Sequence, residues 1–380
     1  EPYDLRILPV FPKCGKEFVD LLSEVRFTAE VWALPEGTPF FAGEPVLTVR
    51  APIVEAQLVE TYLLSTIAFQ TMIASKAARV VRAAQGRSVV EFGTRRAHSP
   101  EAGVLGARAA FIGGCIGTSN ALAGYRYRIP VFGTAAHSWV MAFEDELEAF
   151  QQLQKVLGEH TVYIVDTNDT AEGTRKAASL GDPIAGIRLD SGDLAALAFE
   201  ARRILDQAGL RSAKIMASGD LDEEKIAALV GAGAPIDSFG VGTELATSAD
   251  DPRLAAIYKL TAIESGGRIR YTAKFSEDKA TRPAAKQIFR CADHDLVGCE
   301  WEQAPDDSQP LLQPVIRNGA MLAPHPATTE VRQRAERLIA ELPEEVQSLE
   351  PLGRPGFPVR YSQQLEELTD QVRQEVLEPG

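Results

Sequence analysis

No apolar run in these 380 residues approaches the roughly 20 needed to cross a bilayer, so a membrane-spanning helix is not expected. A basic-then-apolar leader is also missing from the segment, and the expected location is the cytoplasm. Only four cysteines occur, Cys14, Cys115, Cys291 and Cys299, scattered and never as a CxxC pair, which excludes a disulfide framework. Basic residues are outnumbered: the formal net charge is -14, which repels phosphate backbones and anionic lipid alike. Nucleic acid and membrane are therefore not expected as partners, and a phosphorylated ligand has to be held by a local group of cations and backbone amides. Low-complexity segments and simple repeats are absent too.

What remains is the composition of an ordinary globular protein, 45% apolar and 24% charged, long enough for two packed domains. From about residue 161, short β-branched runs alternate with helix-length segments: VYIV before EGTRKAASL, IAGIRL before DLAALAFEARRILDQAG, KIMAS before DEEKIAALVGAG, then SFGVGT. Such βα units wind into parallel sheets or barrels. SVVEF and IPVF, further upstream, read as strands of the same kind. Residues 28–50 read as strands and turns, followed by a long and interruptible helix from about Val54 to Ala84. Short strands are expected after Tyr258, and TTEVRQRAERLIAELPEEVQ reads as a helical tail with a solvated charged face.

Ligands of parallel α/β folds bind beyond the strand ends, so the residues just after each strand matter most. Glycines at Gly219, Gly240 and Gly242 either bring backbone N–H groups to a phosphate or simply make tight turns. Asp166, Asp190, Asp193 and Asp220 can hold Mg²⁺ or ribose hydroxyls, although Asp193 suits the N-cap of the next helix better. Arg95, Arg96 and Arg188 supply forked donors for carboxylate or phosphate, or else bridge neighbouring acids. His137, one of five histidines, follows IPVF in GTAAHSWV. It combines nucleophilicity with a neutral form at pH 7, and it could equally be a capping group. Thr134 precedes it, and the following Glu144, Asp145 and Glu146 are placed to fix its tautomer.

These loops, together with ALPEGTPFFAGEPVLTV, EFGTRRAHSPEAG, GTAAHSWV, IRLDSGDL, MASGDLDE, FGVGTEL and YKLTAI, resemble the nicotinate phosphoribosyltransferase family from about Thr28 to the C-terminus. The resemblance implies an irregular α/β barrel of the type II phosphoribosyltransferase kind, joined to an α/β sandwich domain built from both chain ends. On that basis residues 1–86 form the sandwich and long helix, 87–258 the barrel, and 259–380 a segment returning to the sandwich plus a tail. The implied reaction joins nicotinate and phosphoribosyl pyrophosphate into nicotinate mononucleotide and pyrophosphate, with Mg²⁺ and with ATP as a co-substrate acting through a phosphohistidine. The family's GTxAHS histidine matches His137. Thr134, Arg188 and Arg95 would contact nicotinate. Arg96, Asp190, Ser218, Gly219, Asp220, Gly240, Gly242 and Thr243 would contact the phosphoribosyl donor. No metal ligands are assigned, and a homodimer sharing its active sites is implied.

Asn120, in IGTSNALAG, stands where the nicotinamide enzymes carry an Asp; a neutral residue there implies a preference for nicotinate. Two departures accompany the match. Tyr3 is not in the context of the family's N-terminal Tyr, which stacks on the pyridine, so weak nicotinate binding is expected. Pro283-Ala284 replaces the family's Pro-Gly in the basic loop ending at Lys286. Alternative readings of the same sequence are nicotinamide or quinolinate phosphoribosyltransferases and a binding protein without turnover. VYIVDTNDTAEGT matches the phosphoribosyl pyrophosphate loop of the purine-salvage enzymes poorly, because Thr167 follows Asp166 where a second acid belongs.

Overall fold

A computed structural model describes residues 9–182, 184–276, 280–349 and 356–377; Tyr3 lies outside them. The chain divides into two compact units, one of Glu1–Ser65, Ile257–His325 and Pro355–Gly380, the other of Thr66–Ala256 and Pro326–Arg354. The sequence reading places the boundaries after residues 86 and 258, whereas the units divide after Ser65, Ala256, His325 and Arg354. The helix Glu60–Ala83 joins the second unit from Thr66 onward, where it buries Ile73, Ala77 and Val80. The tail helix Thr328–Ala340 also belongs to the second unit, since Arg332 donates to the carbonyls of Cys115 at 2.6 Å and Gly114 at 3.0 Å.

The second unit is built on six parallel strands: β1 (Ser88–Glu91), β2 (Gly117–Thr118), β3 (Val162–Ile164), β4 (Gly186–Leu189), β5 (Lys214–Ala217) and β6 (Ser238–Val241). Their order is β2-β1-β6-β5-β4-β3. Parallel strands covered by helices must be apolar on both faces, and Tyr163, Ile164, Ile187, Leu189, Ile215, Phe239 and Val241 are all at most 1% exposed. Burying each such side chain is worth roughly 1.5–3 kcal/mol. Three of the connecting helices start on an aspartate that accepts a backbone N–H: Asp169 for Thr170–Ser179, Asp193 for Leu194–Gln207 and Asp222 for Glu223–Gly231. Asp193 thus takes the capping role. Behind the helices, Lys76 is 4% exposed and lies 2.7 Å from both Glu223 and Asp250.

IPVF does not form a full strand. Pro130 has no N–H to give, and the segment contributes a single bridge, Val131 beside Thr118. β2 was not read from the sequence at all, being only two residues long. The ladder therefore has two edges, β3 and the Val131 bridge, which makes the barrel irregular.

The first unit gathers both chain ends. Glu30–Ala33 pairs with Leu47–Arg50 on one side and with Gln313–Arg317 on the other, in a four-stranded antiparallel sheet. A second four-stranded sheet contains Lys286–Arg290, Asp295–Cys299 and Val359–Tyr361, with the helix Gln363–Leu377 packing Leu365 against Ile288 and Val297. Within it, Arg290 pairs with the buried Asp295 at 2.7 Å and lies over the rings of Phe41 and Phe357. Burial, reinforced by Asp295, pushes the Glu44 carboxyl up to about 8. Lys286 is half-buried and donates to the carbonyls of Arg282, Pro283 and Ala284, and desolvation brings its amine down to about 8. Ala284 holds φ 64°, so the backbone keeps the left-handed conformation that the family's glycine would take freely.

Candidate active site

The ends of β3, β4 and β5 converge on Arg188. Its Nε donates to Ser218 Oγ, its Nη1 to Thr134 Oγ1 and its Nη2 to Asp190 Oδ1, each at 2.7 Å. The guanidinium also lies 5.4 Å from the centroid of the Phe92 ring. Ser218 donates to the same Asp190 oxygen at 2.6 Å. Burial pushes the Asp190 carboxyl up, but the Ser218 bond, the Arg188 charge and the His137 contact outweigh it and hold the group below the ordinary carboxylate range. Asp166 organises the turn beneath: its Oδ2 accepts from the Asp190 N–H and the Ser191 hydroxyl, both at 2.8 Å.

His137 opens the short helix His137–Met141 and reaches the same group from outside. Its Nδ1 lies 3.0 Å from Thr167 Oγ1 and its Nε2 3.4 Å from Asp190 Oδ2. The acidic residues that follow it are not its partners. Asp145 caps the helix Glu146–Leu157 and Glu146 pairs with Lys176, and the carboxylate that orients the ring comes instead from Asp190, in the turn after β4.

A second cluster sits beyond β1 and β2. Glu91, 2% exposed, accepts from the Gly93 N–H and the Thr118 hydroxyl. Burial pushes its carboxyl up against the opposing effect of those two bonds. Asn120 caps the helix Ala121–Tyr127 through Oδ1 and donates from Nδ2 to Thr94 Oγ1 at 3.1 Å. Arg95 and Arg96, in the turn Thr94–Arg96, are exposed and have no partner among the described residues.

Gly219 turns at φ 96°, and a Cβ there would strike the Asp190 carbonyl, so only glycine keeps β5 close to the β4 turn. A Cβ on Gly240 would come 2.6 Å from the Phe92 ring that supports Arg188. Asp220, with φ 47°, is exposed, and its carboxylate has no partner among the described residues. Thr243 starts a short helix directly after Gly242.

The structure thus joins Thr134, His137, Arg188, Asp190 and Ser218 in one hydrogen-bonded group. Gly219 and Gly240 act as close-packing positions beside it. Arg95, Arg96, Asp220 and Thr243 are not bonded into it. Sequence reading missed Phe92, Thr94, Glu91 and Thr118. The acid in SVVEF, polar at the end of an apolar strand, was the available signal for Glu91.

Residues 87–293 match the model of the nicotinate phosphoribosyltransferase family, and residues 3–68 match that family's N-terminal domain. A nicotinate phosphoribosyltransferase of Mycobacterium tuberculosis is 45% identical over 374 residues, spanning 95% of this chain and 79% of that one. The crystal structure of human nicotinic acid phosphoribosyltransferase superposes with a TM-score of 0.82 at 25% identity, covering 97% of this chain and 87% of the human one. That of a nicotinate-nucleotide pyrophosphorylase from Pyrococcus furiosus gives a TM-score of 0.72 at 30% identity, over 86% and 84% of the two chains. With the family model matching more than half of its length and this relative matching nearly all of it, the chain belongs to the nicotinate phosphoribosyltransferase family.

Proposed function

We propose that the chain is a cytoplasmic nicotinate phosphoribosyltransferase, forming nicotinate mononucleotide and pyrophosphate from nicotinate and phosphoribosyl pyrophosphate, with ATP hydrolysis coupled through phosphorylation of His137. The state of Arg188 carries the reading. A guanidinium offers about five N–H donors, and here Nε and one on each terminal nitrogen are committed to Ser218, Thr134 and Asp190. One N–H on each terminal nitrogen is left, a pair suited to a carboxylate. Arg188 would hold the pyridine acid in place, with its own orientation fixed by three bonds and the Phe92 ring.

Displacement at the anomeric carbon then needs groups for the departing diphosphate. Arg95 and Arg96 are the uncommitted cations for it, and the turns at Gly219, Gly240 and Gly242, with Thr243, offer backbone and hydroxyl donors. Mg²⁺, when bound, would neutralise the diphosphate as it leaves. No group of three or more His, Cys, Asp or Glu side chains gathers for a metal among the described residues, so the ion fits as a passenger on the donor. Asp190 has both oxygens engaged, which leaves the exposed Asp220 and the second oxygen of Asp166, whose Oδ1 accepts no hydrogen bond among the described residues, as the carboxylate groups to meet it.

At His137, an ionised Asp190 can only accept, so the ring proton belongs on Nε2 and the lone pair on Nδ1, where Thr167 now donates. Nδ1 is the nucleophile once Thr167 turns away. We also propose a homodimer. Val131 at the open edge is 52% exposed, with Phe132 at 40%, Tyr125 at 75% and Met141 at 74%, apolar surface of the kind that partners cover.

Incubation with phosphoribosyl pyrophosphate, Mg²⁺ and either nicotinate or nicotinamide, followed by separation of the nucleotides, tests the reading. Nicotinate mononucleotide should dominate; equal use of the amide would refute the carboxylate role of Arg188.

A further inference from the structure

Beneath the turn Thr94–Arg96 the hydrogen bonds close into a ring. Glu91 Oε1 accepts from the Gly93 N–H and Oε2 from the Thr118 hydroxyl. Thr118 Oγ1 accepts from the Asn120 N–H at 2.9 Å, and Asn120 Nδ2 donates to Thr94 Oγ1, next in sequence to Gly93. The three inner side chains are almost without solvent, Glu91 at 2%, Thr118 at 0% and Asn120 at 7%. No cation pairs with Glu91 among the described residues. An unpaired buried carboxylate is unfavourable for folding, so its presence calls for another reason.

That reason lies in the direction of the bonds. The Gly93 and Asn120 N–H groups can only donate, so Glu91 Oε1 and Thr118 Oγ1 accept from them, and the Thr118 proton is left to face Glu91 Oε2. Asn120 Oδ1 is committed to the Ala123 N–H at 2.9 Å, so its amide nitrogen must face Thr94. Thr94 Oγ1 therefore accepts, and its own proton finds no acceptor among the described residues. We infer that Glu91 is a positioning residue of the rim: its bonds to the Gly93 N–H and the Thr118 hydroxyl fix the turn carrying Thr94, Arg95 and Arg96, while Asn120, oriented by the Ala123 N–H, keeps the half-buried Thr94 hydroxyl as a donor to an anionic oxygen of the ligand. The nature of that ligand rests on the function proposed above. The pyridine carboxylate and the donor's diphosphate both present such an oxygen.

The test measures binding of nicotinate and of inorganic pyrophosphate by calorimetry, and KM and kcat for turnover, in Glu91→Gln, Thr94→Val and Thr94→Ser. Gln in place of Glu91 keeps the volume but swaps one acceptor for a donor, so that either the Gly93 N–H or the Thr118 hydroxyl loses its acceptor and the turn loses an anchor. Glu91→Gln and Thr94→Val should each weaken one of the two probes by about tenfold, raise the matching KM and move kcat much less, whereas Thr94→Ser restores binding. Loss for nicotinate alone assigns the donor to the carboxylate, and loss for pyrophosphate alone assigns it to the diphosphate. Unchanged binding of both probes in Thr94→Val would overturn the inference, as would a fall in kcat with KM intact. Should Glu91→Gln not fold, Thr94→Val on the outer side of the ring still decides. A wild type that binds both probes yet makes no nucleotide would refute the proposed reaction, while the binding results would still judge the ring.

Discussion

Asp190 holds His137 and Arg188 at once: Oδ2 lies 3.4 Å from His137 Nε2, and Oδ1 lies 2.7 Å from Arg188 Nη2. One carboxylate from the turn after β4 therefore links the ring proposed to take the phosphoryl group to the cation proposed to hold the pyridine acid. A change of charge at His137 can be felt at Arg188 through it, as coupling between two chemical steps requires.

Asp190→Asn should slow labelling of His137 from γ-labelled ATP by an order of magnitude or more, because an amide can donate to Nε2 and so favour the wrong tautomer. Thr167→Val, which removes the hydroxyl now bonded to Nδ1, should label at least as fast as the wild type. Labelling rates in the two variants, compared by acid-labile counts, check this. Equal rates in both would remove Asp190 from the argument.

Arg188→Lys retains the charge but cannot serve Ser218, Thr134, Asp190 and a ligand together. The KM for nicotinate should rise by about tenfold or more, corresponding to about 1.4 kcal/mol. A KM within twofold of the wild type would show that the forked geometry is not used.

Asn120→Asp should erode the preference for nicotinate over nicotinamide. Asn120 is buried and meets Thr94 through Nδ2, so a carboxylate oxygen put there would draw the Thr94 proton inward. Thr94 would then show a ligand its lone pair, which suits an amide and repels a carboxylate. The ratio of kcat/KM for the two pyridines is the measurement; an unchanged ratio would leave Asn120 with its capping role alone.

In the first unit, the Glu44 carboxyl is raised from 4.5 to about 8. Between those values the folded chain binds a proton that the unfolded chain has released, so stability falls as pH rises. The contribution is complete below 4.5 and lost as pH passes through 8. Glu44→Gln should flatten the decline in urea midpoint from acid to mildly alkaline pH. A slope as steep as that of the wild type would place the titration on another group.

Much of the barrel was legible because parallel strands announce themselves as uninterrupted apolar runs, and VYIV, IAGIRL, KIMAS and SFGV each fill one. β2 escaped because two residues, Gly117 and Thr118, carry no periodicity. IPVF was overread, since nothing in an apolar run reveals that Pro130 and a following glycine leave it one bridge. Of the site, Arg188, Asp190, Ser218 and His137 stood out by residue type and by place after a strand. The carboxylate partner of His137 did not, because Asp190 is distant in sequence and only the pairing of β3 with β4 sets Thr167 and Asp190 side by side. The ring around Glu91 was equally hidden: it depends on β1 and β2 lying next to each other.

The central claim is that His137 couples ATP to phosphoribosyl transfer onto nicotinate. The most direct measurement is the rate of nicotinate mononucleotide formation with and without ATP, in the wild type and in His137→Ala, with circular dichroism confirming the fold. The wild type should be stimulated by ATP, and the variant should keep a slow ATP-independent rate that ATP no longer changes, because the groups around Arg188 and the rim remain. A folded His137→Ala protein still stimulated by ATP would contradict the account.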